Sequence, residues 1–181
     1  KNIAQPVRAY RVTGTPAVTA AAPKATTDKP SIAVLPFINM SGDPDQEYFS
    51  AGITEDIITE LSRFRSLFVI ARNLSFAFKG KPAKVQEIAR ELGVAYVVEG
   101  SVRKAGDRVR ITAQLVDSPT GNHLWAERYD REMRDIFAIQ DDVVSKIVAR
   151  VAGQVSAAGI EKAHRKRTES LAAYEYFLRG L

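Results

Sequence analysis

Three acidic residues at alternate positions are the first pattern in this chain that could do chemistry. Asp43, Asp45 and Glu47 have the carboxylate spacing with which a calcium-binding loop begins. Such a loop also needs a bidentate glutamate at its end, which is absent at that spacing, and Pro44 interrupts the loop. The pattern therefore favours acids at a turn and at a helix start, where the helix dipole stabilises negative charge.

The other reactive side chains form no recognisable catalytic pattern. The chain has no cysteine, which excludes disulfides, thiolate zinc sites and a cysteine nucleophile. His123 lies beside Trp125 with no second histidine nearby, which favours a structural role over a metal site. No serine lies in a Gly-x-Ser-x-Gly elbow, and no glycine-rich phosphate loop follows a strand. We therefore expect this chain to have no catalytic residues, no metal and no cofactor.

The positive charge of the chain lies mainly in its tails. The net charge is +5, yet residues 31–130 hold 12 basic and 13 acidic residues. Because binding to phosphates needs a clustered basic face, we expect no nucleic-acid partner for this part. No run approaches the ~18 to 20 apolar residues of a membrane helix, so we also expect no membrane partner. A chain without cysteine is compatible with a cytoplasmic location, which we expect here.

Composition divides the chain into four segments. Residues 1–12 are interpreted as the end of an upstream domain. Residues 13–30 are rich in Ala, Thr and Pro, cannot bury enough surface to offset their ordering entropy, and are predicted to be a flexible linker. Residues 31–158 are predicted to be one α/β domain. Residues 159–181 are predicted to be a basic hinge followed by an amphipathic helix, so we expect the chain to be a piece of a longer protein.

Two strand–helix units open the predicted domain. Residues 32–37 and 67–70 are continuous apolar runs, which are typical of strands buried on both faces of a sheet. The first is followed by an amphipathic helix that ends near Phe64. The second is followed by a helix that begins at Pro82 and ends at Gly93. This alternation predicts two parallel crossover units.

An antiparallel meander and a long helix complete the predicted domain. Residues 95–104, 108–116 and 122–129 are strand-like runs separated by short turns, and the middle run alternates polar and apolar residues. Residues 136–155 form a closing amphipathic helix with Asp135 as its N-cap. The predicted fold class is mixed α/β, of order β-α-β-α-β-β-β-α, with helices packed on a mixed sheet.

A binding site is predicted at the carboxyl ends of the parallel strands, where ligands gather in open α/β sheets. The polar residues that follow the two strands would converge there: Asn39, Ser41, Asp43, Arg72, Asn73 and Ser75. They could form a groove for a peptide or a small ligand. They could equally tie the loops together through local hydrogen bonds.

Seven motifs within the predicted domain resemble one known family. They are IAVLPF (32–37), YFS (48–50), GITED (52–56), VIARN (69–73), FAFKG (76–80), YVVEGSVR (96–103) and HLWAERYD (123–130). Together they resemble the TolB-like amino-terminal domain family, whose fold is a mixed sheet flanked by helices. Two positions depart from the family pattern: Ala51 stands where an acid is usual, and Leu74 stands where a serine is usual.

The flanks resemble parts of two other families. Residues 1–12 are similar to the final strand of class III adenylate/guanylate cyclase domains, and residues 168–180 to the entry of a tetratricopeptide array. The resemblance implies a non-catalytic regulatory and interaction module that links these two partners in a parent protein of cyclic AMP synthesis and signalling. Because the family's active sites are assembled between two catalytic domains, a homodimer of such modules could tune activity through protomer spacing.

Two other functions remain open from the sequence. One is a ligand- or peptide-sensing domain that binds at the carboxyl ends of the parallel strands. The other is an effector module of a DNA-binding transcriptional regulator, since TolB-like domains also follow winged helices. The cyclase-like flank at residues 1–12 and the nearly neutral core disfavour this last function.

Overall fold

One mixed β-sheet organises the protein in the computed structural model. The structure describes residues 29–44 and 46–179, with side chains of the last helix described as far as Lys162. The predicted segment 1–12 and residues 13–28 of the predicted linker 13–30 lie outside these residues. The elements in chain order are β1 (Ser31–Val34), β2 (Ile38–Asn39), α1 (Gln46–Ser62), β3 (Phe68–Val69), α2 (Arg72–Phe76), α3 (Val85–Leu92), β4 (Tyr96–Ala105), β5 (Arg108–Asp117), β6 (Asn122–Glu132) and α4 (Ile136–Arg179).

The sheet confirms the predicted mixed α/β class. Its strand order is β3-β1-β4-β5-β6, with the short β2 also paired to β4. The pairs β1–β3, β1–β4 and β2–β4 are parallel, whereas β4–β5 and β5–β6 are antiparallel. Strand β2 and helix α2 are additions to the predicted order, because elements of two and five residues are too short to leave a periodic signal.

Alternate residues of the central strands face two different apolar layers, as the period of a strand requires. Ile32 and Val34 of β1 pack in the larger core with α1 and α4. Ala33 and Leu35 pack on the opposite face in a smaller core with α3. Strand β1 is thus buried on both faces, as its continuous apolar run predicts. The same prediction is wrong for β3, because this strand lies at the edge of the sheet with Phe68 exposed and Val69 half-buried.

Helix α4 closes the larger core. Val143, Ile147 and Val151 are fully buried along one side of this helix. Asp135 caps its start, because its carboxylate Oδ1 accepts hydrogen bonds from the backbone N–H groups of Phe137 and Ala138 at 3.0 and 3.1 Å. The segment Ile136–Lys162 is long and apolar enough to cross a membrane, but core helices of soluble proteins pass the same test.

Two helix boundaries differ from the sequence-based prediction. Helix α3 begins at Val85 and not at Pro82, because Lys84 is the extended N-cap residue and its N–H is held by the Glu87 carboxylate. Gly93 ends α3 in the left-handed conformation, as predicted. Helix α4 continues through residues 159–167, where we expected a hinge, since this stretch has no proline to break it. The domain boundary near residue 158 stays a prediction.

The ring of Phe37 lies directly over Gly100 of β4. A Cβ atom at Gly100 would stand 2.3 Å from Phe37 Cε1 and 2.3 Å from the backbone oxygen of Thr112. The backbone of Phe37 cannot move away easily, because its N–H donates a 3.0 Å hydrogen bond to the buried Thr54 Oγ1. A glycine is therefore required in the middle of this central strand.

Gly100→Ala should destabilise the domain by about 2–3 kcal/mol, because overpacking forces the ring or the strand to move. Gly153→Ala in α4 is the matched control, since a Cβ there meets nothing within 4 Å. The control should stabilise the helix by about 0.5–1 kcal/mol. Urea denaturation followed by circular dichroism measures both, and equal effects of the two substitutions would contradict the tight packing at Gly100.

Candidate functional site

The predicted residues after β1 and β2 are engaged in a local hydrogen-bond network. Asn39 Nδ2 donates to the backbone oxygen of Asp43 at 2.8 Å, and Asn39 Oδ1 accepts from the Ser41 N–H at 2.9 Å. Ser41 Oγ in turn accepts from the N–H of Lys104 in β4 at 2.8 Å. These bonds tie the loop to the sheet, as the structural alternative predicts.

The predicted residues after β3 lie in α2. Arg72 Nε pairs with Glu55 Oε2 of α1 at 3.1 Å, and its guanidinium lies 4.2 Å from the centre of the Phe76 ring. Asn73 Oδ1 accepts from the N–H of the next residue at 3.1 Å. Ser75 is fully buried, and its hydroxyl has no partner among the described residues. A ligand role for the six predicted residues stays a prediction.

The acidic triplet shows no metal-binding geometry in the part of the chain that the structure describes. Asp43 accepts a hydrogen bond from the N–H of Gln46 through its backbone oxygen at 3.1 Å. Glu47 forms an ion pair with Lys79. Asp45 lies outside the described residues. No group of three or more His, Cys, Asp or Glu side chains among the described residues could hold a metal ion.

An open groove of about 1000 Å³ lies beside these loops. One wall is the loop of residues 78–83 with the start of α3, and the floor is the uncovered face of the β4–β5–β6 meander. Of the six predicted site residues, Asn39 alone lines this groove. The alternation of polar and apolar residues predicts the polar face of the meander. It does not predict that the loop of residues 78–83 lies along one side of that face.

Two cross-strand pairs form the floor of the groove. Gln114 Nε2 donates to Glu99 Oε1 at 2.6 Å, and the hydroxyls of Ser101 and Thr112 lie 2.6 Å apart. The paired residues are directly opposite one another in the β4–β5 register. Such cross-strand pairs stabilise the sheet and hold polar atoms at fixed positions along the groove.

Arginines of β5 and β6 share one acid at the end of this floor. Arg110 Nε donates to Asp130 Oδ1 at 2.7 Å, and Arg128 Nε lies 3.5 Å from Asp130 Oδ2. The hydrogen bond from Arg110 lowers the pKa of the Asp130 carboxyl below its ordinary value. The carboxylate therefore stays charged near neutral pH and holds both guanidinium groups on the sheet.

An ion pair fastens α4 to the sheet at the opposite end. Lys162 Nζ lies 2.5 Å from Asp117 Oδ1 and 3.3 Å from the Tyr96 hydroxyl. The Asp117 side chain is only 6% exposed, and its second oxygen accepts from Thr120 Oγ1 at 2.7 Å. We call Lys162, Asp117, Tyr96 and Thr120 the α4 clamp. It joins the helix to the end of β5 and to the turn after that strand.

The α4 clamp favours the charged form of both partners. Burial by itself would raise the pKa of the Asp117 carboxyl, but hydrogen bonds from Lys162 and Thr120 outweigh burial and lower it. Burial would likewise lower the pKa of the Lys162 ammonium, but its hydrogen bonds to Asp117 and Tyr96 raise it. Both groups are therefore charged, and the ion pair is intact, at every pH between the lowered pKa of Asp117 and the raised pKa of Lys162.

Asp117→Asn should lower the free energy of unfolding by about 1–2 kcal/mol at pH 7, because a charged hydrogen-bond acceptor becomes neutral. The folded-state pKa of Asp117 is lowered, so its contribution is present above its unfolded value of about 4 and is lost as pH falls below it. Urea denaturation from pH 7 to pH 2 should therefore show the difference from the unsubstituted chain shrinking below about pH 4.

The control for this series is Asp107→Asn, since Asp107 is exposed in the β4–β5 turn and its side chain pairs with no described residue. The free energy of unfolding is compared between Asp117→Asn and the unsubstituted chain. If this difference is the same at pH 7 and at pH 2, the charge of Asp117 contributes nothing to stability.

Comparison with known proteins gives a family and one curated relative. The family model described as HilA/YgeH-like transcriptional regulator, second domain, matches residues 27–146. The curated protein named "Putative adenylate cyclase 3", from Rhizobium meliloti (strain 1021), is 51% identical over 186 residues. The match covers 99% of this chain but 32% of that protein, so the chain spans only part of the relative's length.

Solved structures with a similar fold share little sequence with this chain. Lipoprotein GNA1162 from Neisseria meningitidis is 22% identical with a TM-score of 0.50, and the match covers 67% of this chain and 96% of that one. TolB from Acinetobacter baumannii is 21% identical with a TM-score of 0.47, over 69% of this chain and 29% of that one. At such identities the likeness concerns the fold alone. The family model covers most of the chain, which therefore belongs to the family of HilA/YgeH-like transcriptional regulator second domains.

Proposed function

We propose that this chain is a non-catalytic regulatory and interaction module of a cytoplasmic nucleotide cyclase. In this proposal it links a class III catalytic domain on its amino-terminal side to a tetratricopeptide array on its carboxyl-terminal side. The parent protein makes cyclic AMP as a signal. The identity of 51% to a relative named as an adenylate cyclase, over 99% of this chain, supports a cyclase-related role.

The observation that carries the proposal is the continuity of α4. This helix has 44 residues, begins at its Asp135 cap, packs in the larger core and continues to Arg179. At 1.5 Å per residue it is about 66 Å long. Because the α4 clamp fastens Lys162 to the sheet, the direction of the later turns of α4 depends on the position of the domain. Such a helix can transmit a movement of the module to a domain on its carboxyl-terminal side.

Gly159 offers a direct test, because it lies in α4 and a Cβ there meets nothing within 4 Å. Gly159→Pro should break the helix at a cost of about 3 kcal/mol of helix stability, whereas Gly159→Ala should strengthen it. In the parent protein, Gly159→Pro should change the rate of cyclic AMP formation severalfold. The KM for ATP should stay unchanged, because the module does not contact substrate.

Gly159→Ala is the matched control at the same position and should leave the rate of cyclic AMP formation near its original value. Circular dichroism and gel filtration of the variants establish that the domain remains folded. A folded Gly159→Pro variant that forms cyclic AMP at the unaltered rate would contradict coupling through α4.

A role in protomer spacing requires that two modules associate. The sheet ends at β6, an eleven-residue edge strand, which could pair with a second copy. We expect light scattering over a concentration series to give the mass of a dimer for this chain. A mass of 19.9 kDa at every concentration would contradict the spacing role and would leave only coupling along α4.

The second candidate is an effector module of a DNA-binding transcriptional regulator. The family match favours it, because the family is described by that class of protein. The two candidates differ in the parent protein, since a regulator needs no cyclase activity. A parent that forms no cyclic AMP under any condition, and that binds DNA, would favour the regulator.

A further inference from the structure

The groove beside β4 combines an apolar wall with a polar floor. Phe78 and Val85 are partly buried against the smaller core and form the wall together with the buried Ile88. The floor presents the Glu99–Gln114 and Ser101–Thr112 pairs. A concave site with apolar walls and a few fixed polar groups is the usual form of a small-ligand site.

Most charged residues around the groove are neutralised by a neighbour. Glu47 pairs with Lys79, and Arg128 lies 3.5 Å from the carboxylate of Asp130. Glu127 lies 3.8 Å from Arg150 of α4. These pairs leave little uncompensated charge for a ligand.

Two groove residues of opposite charge lack an ion-pair partner among the described residues. Glu99 is half-buried on the floor and is bound only by the amide of Gln114 through Oε1. Lys81 lies on the loop wall, with its ammonium 5.2 Å from the centre of the Phe78 ring. The amide of Gln114 replaces part of the hydration that this half-buried carboxylate loses, but it brings no positive charge, so a cationic ligand group would stabilise the carboxylate further.

We propose that this groove binds a short peptide, or a free amino acid, in its zwitterionic form. The ammonium group lies at Glu99, the carboxylate lies at Lys81, and an apolar side chain packs against Phe78 and Val85. The inference goes beyond the proposed function, since it gives the module a ligand. Binding is measured on the chain itself, so failure here leaves the coupling through α4 untouched.

The test uses free leucine and trileucine with free termini, together with the N-acetyl form and the amide form of each, as probes in isothermal titration calorimetry. Trileucine or leucine should bind. For whichever probe binds, acetylation of its amine and amidation of its carboxylate should each weaken binding about fivefold or more, because each removes one charge-assisted contact. Binding of free leucine identifies an amino-acid ligand, and binding of trileucine alone identifies a peptide. Both outcomes support the proposal.

Two substitutions assign the ends of the ligand. Glu99→Gln keeps a hydrogen-bond acceptor for Gln114, so the fold is preserved. This substitution should weaken binding of the ligand with a free amine about fivefold or more, and it should leave the affinity for the acetylated ligand unchanged. Lys81→Gln should likewise weaken binding of the ligand with a free carboxylate and leave binding of the amidated ligand unchanged. Glu91→Gln and Arg65→Gln, at exposed positions away from the groove, should change nothing.

Three results would overturn the proposal. The first is the absence of binding of both leucine and trileucine with free termini up to millimolar concentration. The second is equal affinity of the free, acetylated and amidated forms. The third is a loss of affinity in Glu99→Gln that is the same for the free and the acetylated ligand.

Discussion

The packing of Phe37 on Gly100 is the contact on which the arrangement of this domain depends. Strand β4 carries parallel neighbours on one side and antiparallel neighbours on the other. The chain leaves β1, places the Phe37 ring over the glycine, and returns as β2 beside the same strand. A side chain at Gly100 would occupy the volume of that ring. The missing Cβ therefore allows the parallel and antiparallel halves of the sheet to share one core.

The two faces of the sheet have different consequences for function. On the larger face, α1 and α4 bury the apolar residues of every long strand, and α4 leaves this core as a continuous helix. On the other face, α3 covers β1 and the beginning of β4 only, so the meander stays open to solvent. The groove is the boundary between the covered and the open part of this face. The proposed coupling to neighbouring domains and the proposed binding of a ligand therefore use opposite faces of the sheet.

Long elements were predicted from the sequence more accurately than short ones. The long strands and the start of α4 were predicted closely, because their apolar periodicity extends over ten or more residues. Strand β2, helix α2 and the start of α3 were missed or misplaced. Their positions depend on distant contacts, such as the pairing of Ile38 with Ser101, and not on local pattern. Pro82 has a backbone suited to a helix start, but the extended Lys84, whose N–H donates to the Glu87 carboxylate, is the residue from which α3 begins.

The sequence by itself determined the fold class, the buried first strand, the half-solvated meander and the cap of α4. Each of these follows from side-chain periodicity or from a single local hydrogen bond. Tertiary structure alone decided which polar residues share a site. It brought Lys81 and Glu99 to one groove, and Lys162 to Asp117, across separations of many residues. The physical reason is that a charged side chain has no periodic signature, and its partner is set by how the elements pack.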